Sequence, residues 1–266
     1  ARRTAALCGV ACAWLRVGAV RAPPPPPPAF GPPARLRARS AAAAGPPGPA
    51  EFPEGQDLDE LFDLCEPPPE GAPGGLLAPG AGPALTGATK QRRWVHRDGD
   101  WHRSVHVWLL DEEGDLLLQR RSKHKDTHPG CWDVSCAGHI GAGDAGLETA
   151  VRELEEELGL AVPLSALKHL FTIAASASGA TERHGPFRCN EYQEVYLLRV
   201  FGAHASRGYS PAEGEVAELR SEPIAETERS LRTGAADYVP RSREYIDALV
   251  GALLPRGTAE DPARPR

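Results

Sequence analysis

Apolar positions along residues 92–255 follow two spacings, one typical of strands and the other of helices. Runs of β-branched, aromatic and leucine residues between turn signals predict strands at Val105–Leu110, Leu116–Arg120, Trp132–Ile140, Leu170–Ala175, Glu194–Phe201 and, more weakly, Glu215–Leu219. The first two are separated by a polar turn, which predicts a hairpin. Helical spacing occurs at 145–158 and 241–253. This alternation of strands and helices predicts a layered α/β domain.

The helix predicted over 145–158 has an apolar stripe and an acidic face. The stripe consists of Leu147, Val151, Leu154 and Leu158. At about 100° per residue, Glu153, Glu156 and Glu157 fall within an arc of about 100°, and Gly159 is a helix stop. Carboxylates this close repel each other unless a cation lies between them. Because oxygen ligands suit Mg²⁺, the pattern predicts metal-assisted chemistry on a phosphate-bearing substrate.

Composition divides the chain into four regions. Residues 1–50 contain no Asp or Glu and are rich in Arg and Ala, as organelle transit peptides are. We expect a disordered targeting segment there, for plastid or mitochondrion, with a biased tail of a cytoplasmic protein as the alternative. Residues 51–91 are predicted as a Pro/Gly-rich linker in which 57–64 forms a short strand or helix. The folded domain is predicted at 92–255, followed by a disordered tail at 256–266.

The composition of the whole chain bears on partners and redox state. The net charge of −6 gives no electrostatic case for nucleic acid as a partner. No apolar run reaches the ~18 residues that span a bilayer, so no membrane partner is expected. None of the 6 cysteines forms a Cys-x-x-Cys pair, so reduced thiols are expected. The chain has no methionine, even at its first position, which indicates a processed or truncated N-terminus. The sequence leaves the oligomeric state open.

The acidic helix belongs to a longer motif. Gly138 is followed after five residues by Asp144, and after seven more by Arg152-Glu153-Leu154-Glu155-Glu156-Glu157-Leu158-Gly159-Leu160. This motif resembles the Nudix box, Gly-x5-Glu-x7-Arg-Glu-apolar-x-Glu-Glu-x-Gly-apolar, at every fixed position except Asp144, where the family usually has Glu. The resemblance implies an α/β/α sandwich with a mixed sheet and a loop–helix–loop catalytic motif. We expect the shorter Asp144 to pair with Arg152 as the family's Glu does.

The resemblance also implies roles for the box residues. Glu153, Glu156 and Glu157 are expected to bind Mg²⁺ or Mn²⁺, and the backbone carbonyl of Gly138 to assist them. Glu153, Glu156 or a glutamate elsewhere is expected to act as the base toward the attacking water, while Arg152 orients the carboxylates. The alternative for these residues is a solvated acidic helix without a metal.

Segments that flank the box resemble one Nudix branch, which includes isopentenyl-diphosphate isomerase, its bacterial hydrolase relatives and a plant Nudix hydrolase. These segments are Val95–Arg103, Leu116–Ser122, Pro129–Gly130, Trp132–His139 and Asn190–Tyr196. In the isomerase, the positions that match His102, His139 and Glu191 belong to a metal site. Those that match Arg121 and Lys125 contact the diphosphate. Imidazole with carboxylate suits a divalent metal, and the arginine fork suits phosphate. Taken singly, each histidine is equally consistent with a structural residue, and the two cations with a solvated basic loop.

Two positions distinguish hydrolysis from isomerisation. The isomerase's catalytic cysteine aligns with Ala137, whereas Cys136 lies one residue earlier and is predicted to point to the opposite face of its strand. A further isomerase metal carboxylate aligns with Cys189, which leaves Glu191 and Glu194 as candidates for an additional carboxylate. The complete set of box carboxylates favours a metal-dependent hydrolase that cleaves a nucleoside diphosphate derivative or an isoprenoid diphosphate. The alternatives are an isopentenyl-diphosphate isomerase-like enzyme and a non-catalytic diphosphate-binding module.

Overall fold

The computed structural model describes residues 57–69, 75–125, 127–181, 185–201 and 208–254. The predicted targeting segment at 1–50 and the predicted tail at 256–266 lie outside these residues. The chain divides into two compact units, Ala1–Gly48 and Pro49–Arg266, and every described residue belongs to the second. Within the described part, no helix has both the length and the apolar character needed to cross a lipid bilayer.

The described residues form one sheet with helices packed against it. The strands are β1 (Leu61–Cys65), β2 (Leu85–Gln91), β3 (Trp101–Leu110), β4 (Asp115–Arg121), β5 (Trp132–Asp133), β6 (Cys136–His139), β7 (Leu167–Thr181), β8 (Gly185–Arg199) and β9 (Val216–Pro223). The α-helices are α1 (Arg92–Asp98), α2 (Gly146–Leu158), α3 (Ile224–Thr233) and α4 (Arg243–Leu253).

Strand β3 organises the sheet. It pairs in parallel with β8 along its whole length and antiparallel with β6 and β4. Antiparallel pairing then adds β7 to β8, and β5 and β9 to β4. The sheet is therefore mixed, as predicted, and its centre places His102 of β3 opposite Glu191 of β8.

Side chains of β3 alternate between two hydrophobic layers. Val105, Val107 and Leu109 face α2, where they pack with Leu154 and Leu158. The intervening residues face α4, so that Trp108 and Leu110 pack with Tyr245, Leu249 and Leu253. This period-two alternation gives the sheet one helical layer on each face. The predicted α/β/α sandwich is confirmed.

The structure corrects the prediction that 51–91 is a linker. Strands β1 and β2 lie inside that range and pair with each other, and a bridge from Cys65 to Trp101 joins β1 to β3. Phe62 is completely buried, and its ring stacks on His102 and His139 at centroid distances of 5.3 and 4.9 Å. Proline and glycine in the connection between β1 and β2 obscured two short strands that are stabilised by tertiary contacts.

One predicted strand, Trp132–Ile140, is divided into β5 and β6. Ser135 lies at the break and is completely buried. Its hydroxyl accepts a hydrogen bond from the Leu109 backbone N–H and donates one to the Leu117 carbonyl. The serine thus bridges β3 and β4 where these strands diverge, so β5 follows β4 and β6 follows β3.

Candidate active site

A cavity of about 900 Å³ opens beside α2, within the size range of about 300–1,000 Å³ typical of ligand sites. Its walls come from α1, α2, β6, the paired strands β7 and β8, and the segment that leads into α4. The predicted site residues that line it are Arg121, Lys125, Gly138, His139, Glu153, Glu156, Glu157 and Glu191. The other two are not part of the lining but contact it: His102 Nε2 is 3.8 Å from Glu191 Oε1, and Arg152 Nη2 is 3.7 Å from Glu153 Oε1. The fold therefore gathers the whole predicted set at one place.

The acidic face of α2, formed by Glu153, Glu156 and Glu157, forms one side of the cavity. Glu157 is 5% exposed and accepts hydrogen bonds from Gln119 Nε2 at 3.2 Å and from the Ala137 backbone N–H at 3.3 Å. Burial raises the pKa of Glu157. The helix ends at Gly159 in the left-handed conformation, as its sequence predicts.

Gly138 is required by the close approach of Glu153. A Cβ atom at Gly138 would overlap the Glu153 carboxyl group, so any larger residue there would displace that carboxyl group from its present position. Burial, followed by the neighbouring charges of Glu157 and Glu156, raises the pKa of Glu153 to about 7. The acidic face thus concentrates negative charge in a partly desolvated position.

Arg152 and Asp144 form the ion pair that the sequence predicts, with Nη1 and Oδ2 3.0 Å apart. The second guanidinium nitrogen, Nη2, lies 3.7 Å from Glu153 Oε1. Asp144 is therefore long enough to reach the arginine, and the departure from the family motif keeps this interaction. Arg152 touches the acidic face from outside the cavity.

A second group of polar side chains, the His–Cys cluster, consists of His96, His102, His139, Cys189 and Glu191. Ligand atoms of the three histidines and the cysteine all lie within 4.8 Å of one another. Glu191 Oε1 is 3.2 Å from His139 Nε2, 3.8 Å from His102 Nε2 and 3.1 Å from Cys189 Sγ. His102, His139 and Glu191 were predicted, whereas His96 and Cys189 were not. Both reach the cluster through the packing of α1 and β8.

His102 is completely buried, and the other members of the His–Cys cluster are partly buried. Burial lowers the pKa of both His96 and His139 to about 3. Burial alone would raise the pKa of Glu191, but contacts with His139, His102 and Cys189 hold it well below its ordinary value. A carboxylate, a thiol and neutral imidazoles are the groups that bind divalent metals in proteins.

The predicted phosphate-binding cations lie on the cavity wall, each beside a carboxylate. Lys125 forms an ion pair with Glu215. Arg121 Nη1 is 3.3 Å from Asp133 Oδ2, and its Nε and Nη2 hydrogen bond to Thr127. A further arginine that the sequence did not indicate, Arg241, also pairs with Asp133.

Two residues considered from sequence lie outside the cavity. Glu194 accepts a hydrogen bond from the Tyr196 hydroxyl at 2.8 Å and packs under the first residue of α2, Gly146, so it is not part of the cavity lining. Of the two carboxylates considered, only Glu191 reaches the cavity. Cys136 is completely buried in the core beside α2, whereas the next residue, Ala137, lines the cavity. The predicted orientation of Cys136 is confirmed.

A family model described as the NUDIX domain matches residues 100–246, more than half of the chain. The chain belongs to the Nudix family. Its Nudix box, Gly138–Leu160, is the loop and helix that carry the acidic face. The family predicted from the box and its flanking segments is confirmed.

Curated relatives support the same family. Nudix hydrolase 3 of Arabidopsis thaliana is 42% identical over 156 residues, which cover 58% of this chain and 20% of that protein. Isopentenyl-diphosphate Delta-isomerase of Serratia proteamaculans is 34% identical over 103 residues, or 39% of this chain and 54% of that protein. Among solved structures, DR0079 from Deinococcus radiodurans aligns with a TM-score of 0.43 and 20% identity, over 70% of this chain and 97% of that chain. The chain thus matches a fifth of the plant relative's length and about half of the isomerase's.

Proposed function

We propose that this Nudix domain hydrolyses a diphosphate linkage in a small-molecule substrate, using Mg²⁺ or Mn²⁺ held by Glu153, Glu156 and Glu157. The observation that carries the proposal is that this acidic face shares one cavity with Lys125 and Arg121. Carboxylates bind hard cations, whereas lysine and arginine bind phosphate oxygens. A substrate with a diphosphate group is complementary to both. The substrate classes are nucleoside diphosphate derivatives and isoprenoid diphosphates.

The acidic face fits a divalent cation. Burial and then the charges of Glu157 and Glu156 raise the pKa of Glu153 to about 7, and burial raises the pKa of Glu157. A cation among these carboxylates would relieve their repulsion. The missing Cβ of Gly138 leaves its backbone beside Glu153, so its carbonyl oxygen is a further candidate ligand. When bound, the cation would neutralise charge on the phosphoryl oxygens and make its bound water more acidic.

The chain's own residues supply position and proton transfer. Arg152, tied to the loop through its ion pair with Asp144, holds the Glu153 carboxyl group in place. We assign acceptance of the proton from the attacking water to a carboxylate oxygen of Glu153 or Glu156. The Lys125 ammonium and the Arg121 guanidinium bind phosphoryl oxygens and orient the diphosphate.

We also propose that the His–Cys cluster binds a second divalent metal. His139 Nε2 is buried and makes no hydrogen bond of acceptable geometry, although it lies 3.2 Å from Glu191 Oε1. Its lone pair is therefore available to a metal. Imidazole nitrogens and a thiolate favour a borderline metal such as Zn²⁺ over Mg²⁺. This centre would form part of the wall of the same cavity.

Hydrolysis is favoured over isomerisation by the side chains at the cavity surface. The isomerase-like alternative needs a thiol where Ala137 stands, and Cys136 is buried in the core instead. The three box glutamates expected to bind the metal, Glu153, Glu156 and Glu157, all line the cavity.

The proposal is tested by turnover of a diphosphate panel by the full chain with Mg²⁺ and with Mn²⁺. We expect release of phosphate or monophosphate, and a loss of at least about 100-fold in kcat for Glu156→Gln, because the isosteric amide carries no charge for the cation. Glu155→Gln is the matched control, since Glu155 is exposed on the same helix and does not line the cavity.

Each alternative predicts a different result in the same assay. Turnover by Glu156→Gln at the wild-type rate would refute the metal assignment. Isomerisation of isopentenyl diphosphate without phosphate release would favour the isomerase-like enzyme. Binding of panel members without any turnover would favour the non-catalytic module.

A further inference from the structure

Arg121 and Arg241 share a single carboxylate on the cavity wall. Arg121 Nη1 lies 3.3 Å from Asp133 Oδ2, and Arg241 Nη2 donates to Asp133 Oδ1. The side chains of Arg121, Arg241 and Asp133 are 15%, 10% and 4% exposed, respectively. Within the described residues, neither arginine forms an ion pair with any other carboxylate within 4.0 Å. We call Arg121 and Arg241 the arginine pair.

The arginine pair carries a positive charge that the protein does not neutralise locally. Burial raises the pKa of Asp133, but Arg241 and Arg121 hold it below its ordinary value, so the carboxylate is ionised. Two guanidinium charges and one carboxylate charge leave an excess of one positive charge. Uncompensated charge at a largely desolvated position is unfavourable, and an anion from solution would offset it.

Other charged groups of the cavity form no ion pair with the arginine pair within the described residues. Lys125 is paired with Glu215, which leaves that neighbour neutral overall. Glu191 contacts the His–Cys cluster, and its charge raises the pKa of Arg241 from a distance without forming an ion pair. Glu244, in the first turn of α4, also lines the cavity, but within the described residues it forms no ion pair with either arginine.

The arginine pair has donors to spare but little room behind it. Within the described residues, the side-chain hydrogen bonds of Arg241 end at Asp133, which leaves most of its N–H donors for a ligand. The guanidinium carbon lies 5.4 Å from the centre of the Tyr245 ring. The Tyr245 hydroxyl is in turn held by Trp108 Nε1 and His106 Nδ1, both at 3.0 Å. Arg241 is thus packed against Tyr245 while it lines the cavity.

We propose that Arg241, together with Arg121, forms a subsite for a terminal phosphate group, so that the substrate is a monosubstituted diphosphate. This assignment rests on the proposed function, because it specifies that one phosphate group of the proposed substrate is terminal. A terminal phosphate presents three non-bridging oxygens and up to two negative charges, which two guanidinium forks can bind. An internal phosphate of a disubstituted diphosphate presents two such oxygens, carries one charge and continues into a second substituent.

The position of the subsite fits a diphosphate that spans the cavity. Burial is the largest cause that lowers the pKa of Lys125. The charge of Glu157 raises this pKa and the charge of Arg121 lowers it, so Lys125 is close to both residues. Lys125, the acidic face and the arginine pair all line the same cavity, so one diphosphate can contact all three.

Calorimetric titration of the full chain in the presence of a chelator tests the subsite without any catalysis. The probes are methyl phosphate, which has a terminal phosphate, and dimethyl phosphate, which has an internal one. We expect methyl phosphate to bind at least about 10-fold more tightly, and Arg241→Met to lower its affinity by about 10-fold or more. Arg120→Met is the matched control, because it removes the same charge from the neighbouring residue of β4, which does not line the cavity. This variant should bind methyl phosphate as wild type does.

Arg241→Lys controls for misfolding of Arg241→Met. It keeps the positive charge beside Asp133 but loses the planar guanidinium group. It should bind methyl phosphate more weakly than wild type and more tightly than Arg241→Met, while circular dichroism shows the native fold. Equal binding of the two probes by wild type, or wild-type affinity for methyl phosphate in both Arg241 variants, would overturn the subsite.

Kinetics separate this inference from the proposed function. With ADP and diadenosine diphosphate as a matched pair, Arg241→Met should raise KM for ADP and leave KM for the dinucleotide unchanged. Absence of turnover of both compounds by wild type, with the selective binding of methyl phosphate intact, would count against hydrolysis of these substrates and would still support the subsite.

Discussion

Neighbours determine the charge of each titratable side chain in this domain. Glu153 and Glu157 belong to one short helix, and burial raises the pKa of both. Asp133 is buried to a similar extent as Glu157, yet its pKa is lowered because two arginines flank it. The sequence identified Glu153 and Glu157 from helical spacing, but it gave no indication of Asp133 or Arg241, because the partners of Asp133 are 12 and 108 positions away along the chain.

His106 shows how a buried residue links stability to pH. It is 5% exposed, and its Nδ1 atom lies 3.0 Å from the Tyr245 hydroxyl. Burial, aided by the charge of Arg241, lowers the pKa of His106 to about 3. Below the unfolded-state value of about 6.5, the unfolded chain takes up a proton that the folded chain does not. Folding therefore loses stability as the pH falls from about 6.5 toward 3.

His106→Asn should reduce this acid sensitivity. Asparagine can keep a hydrogen bond to Tyr245 but has no titratable group. The free energy of unfolding, measured by urea denaturation with a chelator present, should fall less steeply between about pH 6 and 4, by up to about 1.4 kcal/mol per pH unit. His96 and His139 act with the same sign, so part of the slope will remain. The exposed His124→Asn controls for loss of an imidazole, and an unchanged slope in His106→Asn would contradict the assignment.

Among the elements, α2 was the most predictable from sequence. The prediction of 145–158 compares with an observed helix at Gly146–Leu158. Its apolar stripe and its glycine stop are local features, so they can be recognised in the sequence without knowledge of the rest of the fold. Strand β2 and helix α1 were not predicted, and β1 was predicted only as a short strand or helix at 57–64. These short segments are stabilised by contacts with distant residues, such as Phe62 with His139.

Gly159→Ala should destabilise the end of α2. The residue has φ 69°, and the N–H groups of Gly159 and Leu160 close the helix on Glu155 and Leu154. A Cβ atom would also lie 2.9 Å from Ser210 Cβ. We expect a loss of about 1–2 kcal/mol in the free energy of unfolding, measured by urea denaturation.

Gly251→Ala is the matched control for that substitution. Gly251 lies inside α4, is exposed, and has open space where a Cβ would stand. Alanine there should stabilise the domain by about 0.5–1 kcal/mol. Equal effects of the two substitutions would show that the left-handed conformation at Gly159 contributes nothing to stability.

At the scale of the whole molecule, the site depends on how the sheet brings separate elements together. The His–Cys cluster draws on α1, β3, β6 and β8. The parallel register of β3 and β8 sets His102 against Glu191, and the antiparallel register of β3 and β6 sets Ser104 against His139. Phe62 of β1 covers the two imidazoles. No local spacing in the sequence brings these four elements together. The sequence therefore did not indicate that His96 of α1 and Cys189 of β8 join the cluster.

Metal binding by the folded chain should distinguish its two proposed centres. After removal of metals with a chelator, Zn²⁺ should raise the thermal unfolding midpoint by several degrees, and Mg²⁺ should not reproduce this shift, because imidazole and thiolate ligands dominate the cluster. His139→Asn should lose the Zn²⁺ shift. Glu156→Gln, which alters only the acidic face, should keep it.

Two results would contradict the second centre. One is an equal shift with Mg²⁺ and Zn²⁺. The other is a Zn²⁺ shift that is lost in Glu156→Gln and kept in His139→Asn, since that would place the ion at the acidic face.

The sequence by itself determined the Nudix box, the acidic helix with its stop at Gly159, and the alternating layers of the sandwich. These follow from spacing within one segment, and local backbone geometry converts spacing into a face or a turn. Only the tertiary structure decided that β1 belongs to the domain, that Glu191 rather than Glu194 reaches the cavity, and that Arg241 joins Arg121 on Asp133. Those outcomes depend on strand register and on long-range packing, which join residues that no local pattern connects.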